Sequence, residues 1–314
     1  MTEKILRVFP RKTVATPNDE NVRIDTGPFL WDEADRIEIS VTFTYDLPHA
    51  EFLAKQWEPV APVEIGGPAT GARGEEFVPG RYVKKGYVIT SRGCPNRCWF
   101  CSVWRREGSE IRELPVNDGW NILDDNLLAT SETHVREVFA MLKRMKPKSK
   151  EIVFTGGLEA AILQDWQIDL MVNLKPSRMY FAYDTPDDYE PLREAGKRLV
   201  EAGLLQSLYA YVLCGYPKDT MDAAEKRFWQ TLECGFLPYA MLYRNKKGEI
   251  DRTWRKFQYN YSKPPIMAAN GKRRLMSMAE LEAGGSVLDR MDNWQNEDEI
   301  ENEEALFGED ETDA

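Results

Sequence analysis

No segment of the 314-residue sequence approaches the roughly twenty consecutive apolar residues that a membrane-spanning helix needs, which excludes a transmembrane protein. The first twenty residues also lack the apolar core of a secretory signal, so we expect a cytoplasmic protein. We find no internal repeat at solenoid spacing. What is left is a globular, enzyme-sized chain that is long enough to bury a full core.

Histidine and cysteine are also scarce. The two histidines, His49 and His134, have no second histidine at ligand spacing, so we expect both to be surface or packing residues. The chain has five cysteines, which in a cytosolic protein suggest metal or redox chemistry before disulfides.

Charge is distributed unevenly along the chain, which has a net charge of -11. Residues 293–314 contain ten acidic residues and no basic one, and such a segment is predicted to be disordered because it cannot bury enough apolar surface to offset its ordering entropy. Residues 244–274 contain ten lysines and arginines against Glu249 and Asp251. The chain therefore ends in a basic, aromatic extension (residues 244–292) followed by an acidic tail.

From residue 86 onward, apolar runs alternate with helical periodicity, which predicts an α/β fold with a largely parallel sheet. The predicted strands are residues 86–90, 120–123, 151–154, 178–182, 208–213 and 238–243. Helices are predicted from a Ser131 cap to Pro147, from Thr185 to Gly203, and over residues 219–234. Six strand–helix units fall short of the eight of a closed barrel, so we expect a partial (β/α)6 TIM-like barrel over residues 81–243.

The first 80 residues are predicted to form a smaller α/β unit. A strand at 36–44, a helix at 49–57 and a strand at 62–65 make one βαβ motif, and the second strand leads into Gly66 and Gly67.

The most informative segment is a strand followed by cysteines in the spacing C-x3-C-x2-C, at Cys94, Cys98 and Cys101. Three thiolates on one short loop can surround a soft metal centre. A structural zinc site needs four ligands, and no second cysteine or histidine pair supplies them, although zinc or a chance triplet stays an alternative. A [4Fe-4S] cluster held by three cysteines leaves one iron open to an external ligand.

This segment resembles the hallmark of the radical S-adenosylmethionine (radical SAM) superfamily, C-x3-C-x-aromatic-C after the first strand of a partial barrel, with Phe100 as the aromatic residue. The resemblance implies that Cys94, Cys98 and Cys101 bind a [4Fe-4S] cluster and that Phe100 lies beside the adenine of S-adenosylmethionine. It also implies an oxidoreductase-like radical enzyme that cleaves this cofactor reductively and takes electrons from a reductase, flavodoxin or ferredoxin. It identifies neither a catalytic residue nor the substrate.

The family usually holds the cofactor's amino group with a Gly-Gly-Glu-type motif after the second strand. Here that place has Asp124, Asp125 and Asn126, similar to the cobalamin-associated branch, whereas Gly156, Gly157 and Glu159 follow the third strand. Either set can accept hydrogen bonds from an ammonium group, and the sequence leaves both open.

The fourth and fifth strands end in further candidate residues. Asp184 follows the fourth strand. At the end of the fifth strand, the place of the family's adenine-supporting motif is occupied by Leu213, Gly215 and Tyr216. Ligands bind at the carboxyl ends of parallel strands, but Asp184 is equally suited to capping a helix and Gly215 to permitting a turn. Cys214 and Cys234 are expected to be small core residues.

The N-terminal unit resembles a truncated cobalamin-binding domain. It is too short for the full sheet and lacks the Asp-x-His-x-x-Gly motif that ligates cobalt, so we expect a vestigial packing domain without cobalamin.

The basic residues of segment 244–274 alternate with Trp254, Phe257, Tyr259 and Tyr261, a composition that can bind phosphates and stack on unpaired bases. An alternative to the radical enzyme is therefore a non-catalytic protein in which the cysteines hold zinc or a structural cluster. In that alternative, the basic, aromatic extension recruits nucleic acid or a protein partner.

Overall fold

A computed structural model describes residues 3–74, 76–149, 151–245 and 248–262. The acidic tail, and the part of the basic extension after residue 262, lie outside the described residues. The chain forms two compact units: the first runs to Gly119 and includes Gly248, and the second runs from Trp120 to Asn245 and includes residues 249–262. None of the described helices is long and apolar enough to cross a membrane.

The first unit is built on a parallel sheet of four strands. These are β1 (Ile5–Phe9), β2 (Val22–Ile24), β3 (Arg36–Ser40) and β4 (Val63–Gly66), in the order β2-β1-β3-β4. Helix α1 (Leu47–Trp57) connects β3 to β4, so the predicted βαβ motif is present, although β3 ends four residues earlier than expected. Strands β1 and β2 were not expected, so the sheet is larger than the sequence indicated.

The core of this sheet is apolar. Its largest buried side chain is Trp57 of α1, which packs among aliphatic residues of the strands and donates a hydrogen bond of 3.0 Å to the Thr26 carbonyl. Burial of an aromatic side chain of this size contributes on the order of 2–3 kcal/mol.

The rest of the first unit carries the cysteines. Its elements are β5 (Tyr87–Val88), β6 (Ser91–Arg92), α2 (Val103–Arg106) and β7 (Arg112–Glu113). The strand expected at 86–90 is shorter than predicted, because only β5 lies within that range. Strand β6 follows it and pairs with β7 in an antiparallel hairpin.

The second unit contains five parallel strands in the order β12-β11-β10-β9-β8. They are β8 (Asn121–Ile122), β9 (Val153–Leu158), β10 (Arg178–Ala182), β11 (Leu208–Cys214) and β12 (Leu237–Leu242). All five lie where strands were predicted. The order has two ends, so the described strands form an open sheet and do not close into a barrel.

Helices follow these strands in turn: α3 (Glu132–Met145), α4 (Asp165–Leu174), α5 (Tyr189–Glu201), α6 (Met221–Glu233) and α7 (Arg252–Ser262). The cap predicted for α3 is present, because the Ser131 hydroxyl accepts a hydrogen bond of 3.2 Å from the His134 N–H. Phe139 of α3 stacks on Phe154 of β9, with ring centroids 5.4 Å apart. Mixed α/β architecture with parallel sheets is therefore confirmed.

Helix α7 buries two of its aromatic residues and exposes a third beside its basic residues. Phe257 and Tyr261 are buried, with ring centroids 5.8 and 4.7 Å from that of Phe228 on α6. Arg255 and Tyr259 are exposed. Half of the aromatic set proposed for base stacking is therefore core, and nucleic-acid binding by this segment stays a prediction.

Candidate functional site

The cysteines lie in the loop that connects β6 to β7. Cys94, Cys98 and Cys101 are each partly exposed. The Cys94 N–H donates to the Gly108 carbonyl at 3.3 Å, and the Cys101 N–H donates to the Cys98 carbonyl at 3.2 Å. The Cys101 Sγ accepts a hydrogen bond of 3.4 Å from the Val103 N–H. Backbone N–H donors to sulfur stabilise thiolate ligands of iron–sulfur clusters.

Helix α2 braces the same loop. The indole of Trp104 donates to the Cys98 carbonyl at 2.9 Å, and the guanidinium of Arg105 donates to the Cys101 carbonyl at 3.0 Å. Arg105 also lies over the Trp104 ring, 4.4 Å from its centroid. Phe100 is partly buried and meets Trp99 edge-on at 5.3 Å. The loop backbone is thus held at several points.

The donor set of this loop suits a soft metal centre, because three thiols occur within eight residues and one already accepts an N–H bond. In the described structure no three Cys, His, Asp or Glu side chains are arranged as a metal-binding group. Thiol ligands usually converge only when the metal binds, since metal binding and local folding are coupled. The residues therefore fit an iron–sulfur cluster by their chemistry.

The second unit brings together the two motifs that the sequence left as alternatives. The Asn126 side-chain amide donates a hydrogen bond of 2.6 Å to the Glu159 carboxylate. Asp124 and Asn126 are buried, and Asp125 is partly exposed. A Cβ on Gly156 would lie 2.2 Å from the Asp124 carbonyl oxygen, so only glycine permits this approach. The motifs after β8 and β9 form one polar cluster at the carboxyl ends of neighbouring strands.

Asp184 follows β10, and the helix-capping role suggested for it belongs to Thr185. The Asp188 carboxylate accepts hydrogen bonds from the Asp184 N–H, the Thr185 N–H and the Thr185 hydroxyl. The Asp184 carboxyl is desolvated, although the residue retains some accessible surface. Its desolvation, together with the nearby Asp188 carboxylate, raises its pKa to about 7 despite a hydrogen bond from the Leu213 N–H and the charge of Arg227.

This pKa predicts a pH dependence of stability. A carboxyl with a folded pKa near 7 holds its proton in the native state between about pH 4 and pH 7, where the unfolded chain has lost it. The contribution of the Asp184 carboxyl to native stability is therefore present at low pH and is lost as the pH rises through 7. We compare the stability of Asp184→Asn with that of wild type at each pH in thermal melts. The difference in favour of the variant should be larger at pH 8 than at pH 5. An identical difference at the two pH values would contradict this assignment.

The loop after β11 is fixed by a buried ion pair. The Asp219 carboxylate accepts two hydrogen bonds from Arg227, of 3.1 and 2.8 Å, and one of 2.9 Å from the Gly215 N–H. Arg227 also donates to the Leu213 carbonyl at 2.9 Å and lies 5.2 Å from the Tyr216 ring centroid. The pair therefore shapes the segment that contains Leu213, Gly215 and Tyr216.

Gly215 has φ +74°, and a Cβ there would lie 2.8 Å from Leu242 and 3.1 Å from the Trp254 ring. The conformation and the space both favour glycine, so its turn role is observed. Gly157 is partly buried, and nothing lies within 4 Å of where its Cβ would be.

The remaining cysteines and histidines do not join these clusters. Cys214 and Cys234 are buried, as expected, and burial raises the pKa of each thiol to about 12. His49 lies on α1 and pairs with Asp25, whereas His134 is buried on α3. These positions agree with packing and surface roles.

Sequence reasoning missed Glu107, Asp219 and Arg227. Glu107 is 2% exposed and binds Arg106 and Arg112, while Asp219 and Arg227 pair across eight residues. The only signal in the sequence was the crowding of arginines around Glu107.

Comparison with models of known protein families and with curated proteins finds no match for the chain.

Proposed function

We propose that the chain is a radical SAM enzyme. The observation that carries the proposal is the cysteine loop, with three partly exposed thiols inside one hairpin connection. The two other cysteines are buried in the second unit, which favours a centre with three protein ligands over a four-thiolate zinc site.

In this proposal Cys94, Cys98 and Cys101 hold a [4Fe-4S] cluster. Held there, the cluster would supply one electron for reductive cleavage of a sulfur–carbon bond of S-adenosylmethionine, which would give methionine and a 5′-deoxyadenosyl radical able to abstract hydrogen from the substrate. The protein contributes binding, orientation and exclusion of water. Within the proposal, the open α/β sheet is part of a partial (β/α)6 barrel, the compartment is the cytoplasm, and a reductase, flavodoxin or ferredoxin supplies the electrons.

The polar cluster after β8 and β9 is proposed to hold the amino group of the cofactor. Asn126 donates to Glu159 and so orients its carboxylate, which keeps further lone pairs for an ammonium group. Asp124 and Asp125 add carboxylates, Gly156 permits the close approach of the Asp124 backbone, and Gly157 leaves open space beside it. At the other strand ends, Asp184, Leu213, Gly215 and Tyr216 are proposed to contact the adenosyl group, with Phe100 beside the adenine.

Glu159→Gln tests this assignment. Removing the charge from a charge-assisted hydrogen bond costs about 1.5–3 kcal/mol, so S-adenosylmethionine should bind about 10- to 100-fold more weakly in calorimetric titrations of the anaerobically reconstituted protein. Glu137→Gln, on the exposed face of α3, serves as the control and should bind normally. Equal affinity in the two variants would remove Glu159 from the cofactor site.

Metal content separates the enzyme from the non-catalytic alternative. Protein purified without oxygen should be brown and contain about four irons with matching sulfide per chain. A colourless protein that contains zinc would instead favour a binding protein whose cysteines are structural.

A further inference from the structure

The hairpin that carries the cysteine loop contains an electrostatic conflict. Strands β6 and β7 pair so that Arg92 lies directly opposite Arg112. Like charges at opposite positions of an antiparallel pair destabilise it. Arg106, at the end of α2, adds a third guanidinium to the same cluster.

Glu107 lies at the centre of these arginines, with its side chain 1% exposed. Its carboxylate accepts hydrogen bonds of 2.9 Å from Arg106, 2.7 Å from Arg112 and 3.2 Å from the Gly74 N–H. Burial alone raises the pKa of this carboxyl, but the Arg106 hydrogen bond, the Arg92 charge and the Gly74 N–H together lower it below its ordinary value. Glu107 is therefore ionised at neutral pH.

The carboxylate compensates only part of the positive charge. Among the described residues, the Nε atoms of Arg92 and Arg112 are buried and have no hydrogen-bond partner. A Cβ placed on Gly74 would lie 3.2 Å from both Arg92 and Glu107, so both side chains lie beside Gly74, and the Arg92 charge acts on the Glu107 carboxyl. Two guanidinium groups thus bind one buried carboxylate, and the charge of a third, that of Arg92, acts on the same carboxylate.

The same cluster stands at the two ends of the cysteine loop. Arg92 precedes Gly93, which has φ +92° and approaches the Glu110 carbonyl so closely that a Cβ would lie 2.3 Å from its oxygen. Glu107 precedes Gly108, whose carbonyl accepts the Cys94 N–H. The arginine cluster and the cysteine loop therefore meet at Gly93 and Gly108.

We propose that Glu107 is the positioning residue that keeps the cysteine loop closed, by neutralising the repulsion between Arg92, Arg106 and Arg112. Its consequence for iron binding rests on the proposed function, whereas its effect on the loop does not.

Hydrogen–deuterium exchange of the metal-free chain tests the effect on the loop. In Glu107→Gln, peptides covering residues 93–108 should exchange about tenfold faster or more, while peptides from the four-stranded sheet keep their wild-type rates. Glu110→Gln, which neutralises an exposed carboxylate in the same loop, is the matched control and should behave as wild type.

Charge removal distinguishes electrostatics from shape. The double variant Glu107→Gln with Arg92→Gln removes one repelling cation and should restore much of the slow exchange, which a purely steric role for Glu107 does not predict. If Glu107→Gln alone does not fold, Arg92→Gln in the otherwise native chain should leave loop exchange unchanged or slower, and faster exchange there would overturn the proposal.

Iron retention completes the test. Reconstituted Glu107→Gln should lose iron to a chelator about tenfold faster than Glu110→Gln. Wild-type exchange rates in Glu107→Gln would overturn the positioning role whatever the metal content. Faster loop exchange in a chain whose wild type binds no iron would keep that role and contradict the proposed function.

Discussion

Replacing Cys98 with alanine is expected to abolish iron binding, the brown colour and cleavage of S-adenosylmethionine together. The reason is that a cluster held by three protein thiolates cannot be retained by two, and every step of the proposed chemistry needs the cluster. The loop itself should survive, because the Cys98 carbonyl, which accepts from Trp104, is part of the backbone. Iron and sulfide analysis and an anaerobic turnover assay measure the result.

Cys214→Ala is the matched control. This thiol is buried in the second unit and belongs to no proposed ligand set, so the variant should keep its iron and its activity with a modest loss of stability. Full iron content in Cys98→Ala, or loss of iron in Cys214→Ala, would contradict the assignment of the three ligands.

Arg227→Met should produce the largest loss of stability in the second unit. The Arg227 and Asp219 side chains are 5% and 1% exposed, and removing one partner leaves the other charge buried and unpaired. Breaking such a pair costs about 3–5 kcal/mol, which lowers Tm by about 10 °C. The substitution also removes the hydrogen bond to the Leu213 carbonyl, so we expect weaker S-adenosylmethionine binding as well.

Arg193→Met provides the comparison, because its ion pair with Glu190 is exposed on α5 and is screened by water, so its loss should change stability little. Thermal melts of both variants measure the difference. If Arg227→Met and Arg193→Met lowered Tm equally, the buried pair would not be what fixes the loop after β11.

The elements predicted correctly are those whose signals are local. Helix α3 has a serine cap and apolar residues at i, i+3, i+4 and i+7, and the observed helix follows both signals. Strand β10 occupies the predicted residues because its continuous apolar run is buried on both faces.

Strand β1 was missed because Arg7 interrupts its apolar pattern. The Arg7 guanidinium is buried and donates to the carbonyls of Gly80 and Arg81, more than seventy residues away. No local sequence pattern predicts these partners, since they become neighbours only when the first unit folds.

The candidate site divides in the same way. The cysteine spacing was readable because the three thiols lie within one loop. The contact between Asn126 and Glu159 could not be predicted from the sequence, because it depends on the pairing of β8 with β9. Glu107, Asp219 and Arg227 were missed for the same reason, as their roles come from partners that charge and spacing alone do not identify.

The most direct test of the proposed chemistry is anaerobic. The protein is reconstituted with iron and sulfide, reduced with dithionite and given S-adenosylmethionine, and 5′-deoxyadenosine is measured by mass spectrometry beside the EPR spectrum of the cluster. The proposal predicts 5′-deoxyadenosine and a change in the EPR signal when S-adenosylmethionine is added. A cluster that forms but neither changes its signal nor cleaves S-adenosylmethionine would contradict it.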